Sequence, residues 1–139
     1  MPIFLNRTKE IEAQRWILKL VNNHCPELRD LHEGPRLEGR VNLTVPAWVV
    51  PLEGRMPQIA RAFAVVSKEF SPSGFSVVVN RPFSVEKVFV GFAWQDERTY
   101  LKGEVQHVTP LGAGFSQMGI LAQEVICLAD YPELNALHF

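Results

Sequence analysis

Arg36 and Arg40 stand four residues apart in the stretch Gly34-Pro35-Arg36-Leu37-Glu38-Gly39-Arg40, just ahead of a strand-like run. Farther along, Glu69-Phe70-Ser71-Pro72-Ser73-Gly74 leads into a second such run. A guanidinium is planar and permanently charged. It can fork onto phosphate oxygens, fork onto the acceptor edge of guanine, or stack on a base. A carboxylate only accepts hydrogen bonds, which suits the donor edge of guanine. A serine hydroxyl adds a small donor, and a glycine removes the Cβ that would hold a ligand off the backbone. Two arginines followed by an acid, a serine and a glycine at ExSxxG spacing therefore suit a small anionic ligand that carries a purine base. The bland alternatives are solvated loop arginines paired with Glu33 and Glu38, an exposed strand-end Glu69, and ordinary Ser/Pro/Gly turn chemistry.

The elements that must position these residues are legible from periodicity. Ile11, Trp16, Ile17, Leu18, Leu20 and Val21 form a broad apolar stripe, which predicts a helix over Thr8–Asn22. Thr8 suits the N-cap, Glu10 suits the positive end of the helix, and Asn22-Asn23 with Pro26 suits its close. Glu27 to Gly39 is charged and contains Gly34, Pro35 and Gly39, which reads as a mobile connection. From Val41 the period falls to two, and Val41, Leu43, Val45, Ala47 and Val49 alternate with Asn42, Thr44, Pro46 and Trp48. Pro46 in this run points to an edge or a bulge. Further strands are expected over Ile59–Lys68, with Ala62, Ala64 and Val66 on one face, and over Phe75–Asn80, Lys87–Trp94, Thr99–Val108 and Phe115–Leu121. Ser71-Pro72-Ser73-Gly74 reads as a tight turn in which Gly74 can take positive φ. Six short strands without interleaved helices predict an antiparallel barrel or sandwich. The end of the chain, from Asp130, predicts one or two helical turns that dock Leu134, Leu137 and Phe139 on it. Trp48, Phe75, Phe89, Phe92 and Trp94 lie on strand-like runs and read as core.

The paired motifs, each beside a strand, resemble those of the PilZ family, whose members include receptors for the bacterial second messenger cyclic di-GMP. The family pattern is RxxxR followed by (D/N)xSxxG at a strand-to-strand turn. Arg36 and Arg40 match the first part, Ser71 and Gly74 match the second, and Glu69 stands where the family has Asp or Asn. The likeness runs from Arg36 to about Ala122 and includes Gly103-Glu104-Val105 in a meander. It implies a mainly β fold, a six-stranded antiparallel β-barrel with an N-terminal helix and a short C-terminal helical segment. Residues 1–35 would be a helix-and-hinge extension and residues 36–139 the barrel domain. The resemblance also implies cyclic di-GMP binding, with Arg36 and Arg40 on phosphate and guanine, Glu69 and Ser71 on guanine donors and nearby polar atoms, and Gly74 shaping the turn. No catalysis is implied, and a protein partner would read the change in the loop or in the seating of the helix. The alternative is a PilZ-like protein-interaction module that no longer binds the nucleotide, a reading favoured by Glu69. A third is an unrelated small barrel for single-stranded nucleic acid.

Composition bears on these choices. The 139 residues suit one domain with a real core, and 47% apolar with 21% charged residues is an ordinary globular balance. A net charge of −1 counts against sequence-independent DNA or RNA binding, whereas a small dianion needs only a local cluster. Cys25 and Cys127 are far apart and form no CxxC, so a thiolate zinc site is not expected and buried free thiols are. His24, His32, His107 and His138 lack ligand spacing for a metal, and no cofactor is expected. No GxSxG elbow occurs, and Ser71 has no base within its own segment. The amino terminus lacks a signal-peptide core, and no apolar run approaches the ~18 residues of a membrane span. A cytoplasmic protein without membrane insertion is expected.

Overall fold

The computed structural model describes residues 3–24, 40–81, 84–94 and 97–139. The expected mobile connection, Arg36 within it, lies outside the described residues. Helix α1 spans Ile3–His24, and the strands are β1 (Val41–Asn42), β2 (Pro46–Glu53), β3 (Met56–Pro57), β4 (Phe63–Ser71), β5 (Gly74–Val79), β6 (Lys87–Trp94), β7 (Glu97–Gly112) and β8 (Phe115–Ile126). All strand pairs are antiparallel. The order β4-β5-β8-β7-β6-β2 closes on itself because β2 also pairs with β4, which gives a six-stranded barrel with β1 and β3 as short flanking strands. This is the mainly β architecture that the PilZ resemblance implies.

The barrel interior follows the period-two pattern. Val45, Ala47 and Val49 from the β1–β2 run, Val88, Val90 and Phe92 from β6, and Met118, Ile120 and Ala122 from β8 are buried in one cluster. Ala13, Ile17, Leu20 and Val21 of α1 belong to the same cluster, so the apolar stripe of the helix plugs one mouth of the barrel. Trp16 packs its ring 5.3 Å from that of Phe92, and Lys9 ties the helix to β8 through Glu124 at 3.2 Å. The helix is longer than its caps suggested. It begins at Ile3, so Thr8 is not the N-cap, no acid lies in the first turn, and Asn22 and Asn23 fall inside it.

Two further expectations change, and the orientation of one strand is fixed. Ile59–Arg61 is a single 3₁₀ turn, and the strand begins only at Phe63. Within β4 the face bearing Ala64 and Val66 points outward, while Phe63, Val65 and Ser67 face the core. β7 runs past Val108 to a Gly112–Gly114 turn whose three residues all have positive φ, and at its far end β8 runs past Leu121 to Ile126. Pro110 is accommodated in β7 because β6 pairs only as far as Glu104, leaving this part of β7 an edge.

A second cluster lies outside the barrel over β2, β6 and β7. There Leu134 and Leu137 of the C-terminal segment join Val50, Leu52, Phe89, Tyr100 and Ile126. The segment forms 3₁₀ turns at Leu128–Asp130 and Pro132–Ala136. Its carbonyls are tied down by side chains: Arg98 donates to Leu137 O at 3.0 Å and Trp48 Nε1 donates to His138 O at 3.0 Å. Phe139 stays 46% exposed, so the docking expected of it is partial. Gly91 lets the Tyr100 ring lie against the sheet, since a Cβ there would run into that ring. Burial raises the Tyr100 phenol above its usual value, with Arg98 opposing, and its hydroxyl has no hydrogen-bond partner among the described residues. Cys127, expected to be buried, is an exposed free thiol at the end of β8.

Candidate functional site

The site depends on one irregularity in β4. Ser67 faces inward and is buried, and the next inward residue is Phe70, three positions on rather than two. The β4–β5 register shifts between Ser67 and Glu69, so Lys68 is the extra residue of a bulge. A bulge reverses the alternation beyond it. Glu69 and Ser71 therefore sit on the outer face and Phe70 enters the core. Ser67 anchors the bulge: its hydroxyl donates to Leu43 O at 2.6 Å and accepts from Val45 N–H at 2.8 Å. Leu43 N–H in turn donates to Lys68 O at 3.1 Å. These bonds stitch the β1–β2 junction onto β4, and β1 pairs Val41 with Phe70 and Asn42 with Glu69. Arg40, one residue before β1, is thereby delivered to the end of β4 that carries Glu69 and Ser71.

Arg40 Nη1 lies 3.4 Å from Glu69 Oε2, and Lys68 Nζ lies 3.5 Å from Glu69 Oε1. The Arg40 side chain is 73% exposed and that of Glu69 only 22%. The pair is therefore a guanidinium reaching over a mostly shielded carboxylate, and such surface pairs hold together weakly enough to be exchanged for a ligand. Ser71 donates its hydroxyl to Gly74 O at 3.3 Å, across the two-residue Pro72–Ser73 turn. Gly74 does not have positive φ. Its lack of a side chain serves packing instead, since a Cβ would strike the Ile120 carbonyl of β8. The glycine at this position thus lets β5 lie close on β8, which corrects the expectation of a left-handed turn residue.

Arg40, Glu69, Ser71 and Gly74 line one open groove of about 280 Å³ on the outer face of β4, β5, β8 and β7. Arg36 lies outside the described residues. The groove includes residues that the motifs did not mark, namely Ser76, Gln106, His107, Gln117 and Gly119. Ser76 Oγ accepts from Glu69 N–H at 3.2 Å and from Gln117 Nε2 at 3.1 Å, which fixes the floor. Ser76, Gln117 and Gly119 signalled themselves only as polar or small residues in largely apolar strands, Gln106 and His107 not even by that, and none could be placed without the register. Beside the groove, Lys87 bonds Glu104 at 2.8 Å, and this bond holds the Glu104 carboxyl below its usual range. Among the described residues no three His, Cys, Asp or Glu side chains gather as a metal would require. Nor is any described helix long and apolar enough to cross a membrane.

No family model matches the chain, and no curated protein does. Solved structures that are similar include two from bacteria. One is the Bacillus subtilis inhibitor of motility (MotI/DgrA), at 14% identity and a TM-score of 0.48, covering 70% of this chain and 45% of that one. The other is the PilZ domain of CeSA from a cellulose-synthesizing bacterium, at 17% identity and a TM-score of 0.43, covering 60% of this chain and 80% of that one. The chain thus spans less than half of the motility inhibitor. At such distances the strand order and the groove residues themselves carry the description.

Proposed function

We propose that this groove binds cyclic di-GMP and that the protein is a receptor or adaptor rather than an enzyme. The observation that supports this best is the meeting of Arg40, Glu69 and Ser71 in one groove, where a bulge has turned the acid and the hydroxyl outward. In this reading Arg40 leaves Glu69 for a phosphate or for the guanine acceptor edge, and Arg36, four residues earlier, joins it. The freed Glu69 carboxylate and the Ser71 hydroxyl meet the guanine donors and adjoining polar atoms. A volume of about 280 Å³ is at the low end for small-molecule sites, so it takes one base with its neighbouring phosphate and leaves the remainder open. Binding would change how the segment bearing both arginines is held against the barrel, and a partner protein would read that change.

One observation favours a second reading. Glu69 is already bonded by Arg40 and Lys68 within the chain, as in a barrel that serves only as a protein-interaction module. Calorimetric titration with cyclic di-GMP, cyclic di-AMP, GTP and a short single-stranded oligonucleotide decides between them. The receptor reading expects saturable binding of cyclic di-GMP in preference to the other three. No heat with any ligand would leave the interaction module, and preferred oligonucleotide binding would favour a nucleic-acid barrel.

A further inference from the structure

Outward-facing Glu69, Ser76, Gly119 and His107 are successive partners across β4, β5, β8 and β7. They form one row across the groove, about 14 Å from end to end at the ordinary ~4.8 Å strand spacing. The acid stands at one end, the imidazole at the other, and the two residues between them are small. His107 is exposed, and its ring lies over Gly119. It occupies the space that a side chain at 119 would fill, and a Cβ on Gly119 would lie 2.5 Å from Cε1 and 2.7 Å from Nε2. The wall it belongs to has no charge to offer, because no Asp, Glu, Lys or Arg lies between Glu104 and Glu124. Recognition on this side must therefore come from glutamine hydrogen bonds and from an aromatic face.

We propose that His107 is a binding residue that supplies a stacking surface for the purine of the ligand, opposite the Glu69 carboxylate that meets the edge of the base. The inference rests on the cyclic di-GMP reading given above. A purine offers an edge and a face, and stacking engages the face whatever the edge pattern. His107 thus contributes affinity, while Glu69 contributes the choice of base. Gly119 keeps the seat of the ring open, and the Ser76–Gln117 bond keeps the floor flat beneath the base.

The test is titration calorimetry of the full chain with cyclic di-GMP, using H107A, H107F and H107Q, with melting temperature as a check on folding. His107 is exposed on β7, so all three variants should melt close to wild type. H107A and H107Q should each lose about tenfold in affinity or more. H107F, which restores only the ring, should stay within about threefold of wild type. In proton spectra, an imidazole C–H signal absent from H107A should move upfield in wild type as ligand is added. H107A at wild-type affinity, or H107F as weak as H107A, overturns the stacking role while leaving the ligand reading intact. Failure of the wild type to bind defeats the ligand reading and this inference with it.

Discussion

On the outer side of β2, β6 and β7 the C-terminal segment lies over Val50, Phe89 and Tyr100 and buries them with Leu134 and Leu137. Among the described residues no segment roofs the outer side of β4, β5 and β8 in this way, and it carries Glu69, Ser71, Ser76 and Gly119 along a groove. Both are outer faces of the same closed sheet. The first is large and apolar and must be roofed; the second is small and polar and can face water. Gly91 and Gly119 show the contrast in miniature. Each makes room for a ring from β7, but the Tyr100 ring is sealed beneath the C-terminal segment, whereas the His107 ring remains open to the groove. The roofed face should therefore govern stability and the open face should govern ligand.

The largest effect that would test this division is Leu134→Ala. Leu134 is 1% exposed, and its truncation should cost ~2–5 kcal/mol in urea unfolding. Under native conditions the groove should keep its ligand affinity, and a parallel fall in affinity would join the two faces that the account separates. Next is Arg40→Ala, which should weaken cyclic di-GMP binding by ~1.5–3 kcal/mol while shifting stability by under ~1 kcal/mol, since its ion pair with Glu69 is exposed. Unchanged calorimetric affinity would remove Arg40 from the site.

Gly74→Ala mixes the two roles. Its Cβ meets the Ile120 carbonyl, so β5 must move off β8, at a cost of ~1–3 kcal/mol in stability together with a loss of affinity. A stable variant with full affinity would show that the close approach is dispensable. The smallest effect is in the acid limb. The bond from Lys87 lowers the Glu104 carboxyl in the folded state, so the stability it contributes is present above the ordinary value of about 4.3 and fades as pH falls through the lowered one. Lys87→Ala should flatten that part of the acid unfolding curve slightly, both side chains being partly exposed to water. Identical curves would leave the pair without a role.

The alternation of Val45, Ala47 and Val49 and the runs of β5, β6 and β8 were readable because burial on one face of a strand imposes a period of two. The meeting of Arg40 with the Glu69–Gly74 turn was readable only as what the resemblance to a two-part family motif implies. The bulge at Lys68 was not. It depends on where the β1–β2 junction crosses β4, a long-range fact carried by the buried Ser67 hydroxyl. Ala64 and Val66 do share a face, as the alternation predicted, but which side of β4 meets the core was not legible, because small and β-branched residues also suit an outward strand face. Gly74 looked like a turn glycine since the turn lies beside it, but its reason is a carbonyl on β8, almost fifty positions away. Ser76, Gly119 and His107 share the groove only because two registers line them up.

Amide chemical-shift mapping tests the central claim, that the open face rather than the roofed one receives the ligand. With saturating cyclic di-GMP, the amides of Glu69, Ser71, Ser76 and Gly119 should move, while those of Phe89, Tyr100 and Leu134 should stay in place. Silence throughout the groove, or shifts confined to the roofed face, would contradict the account.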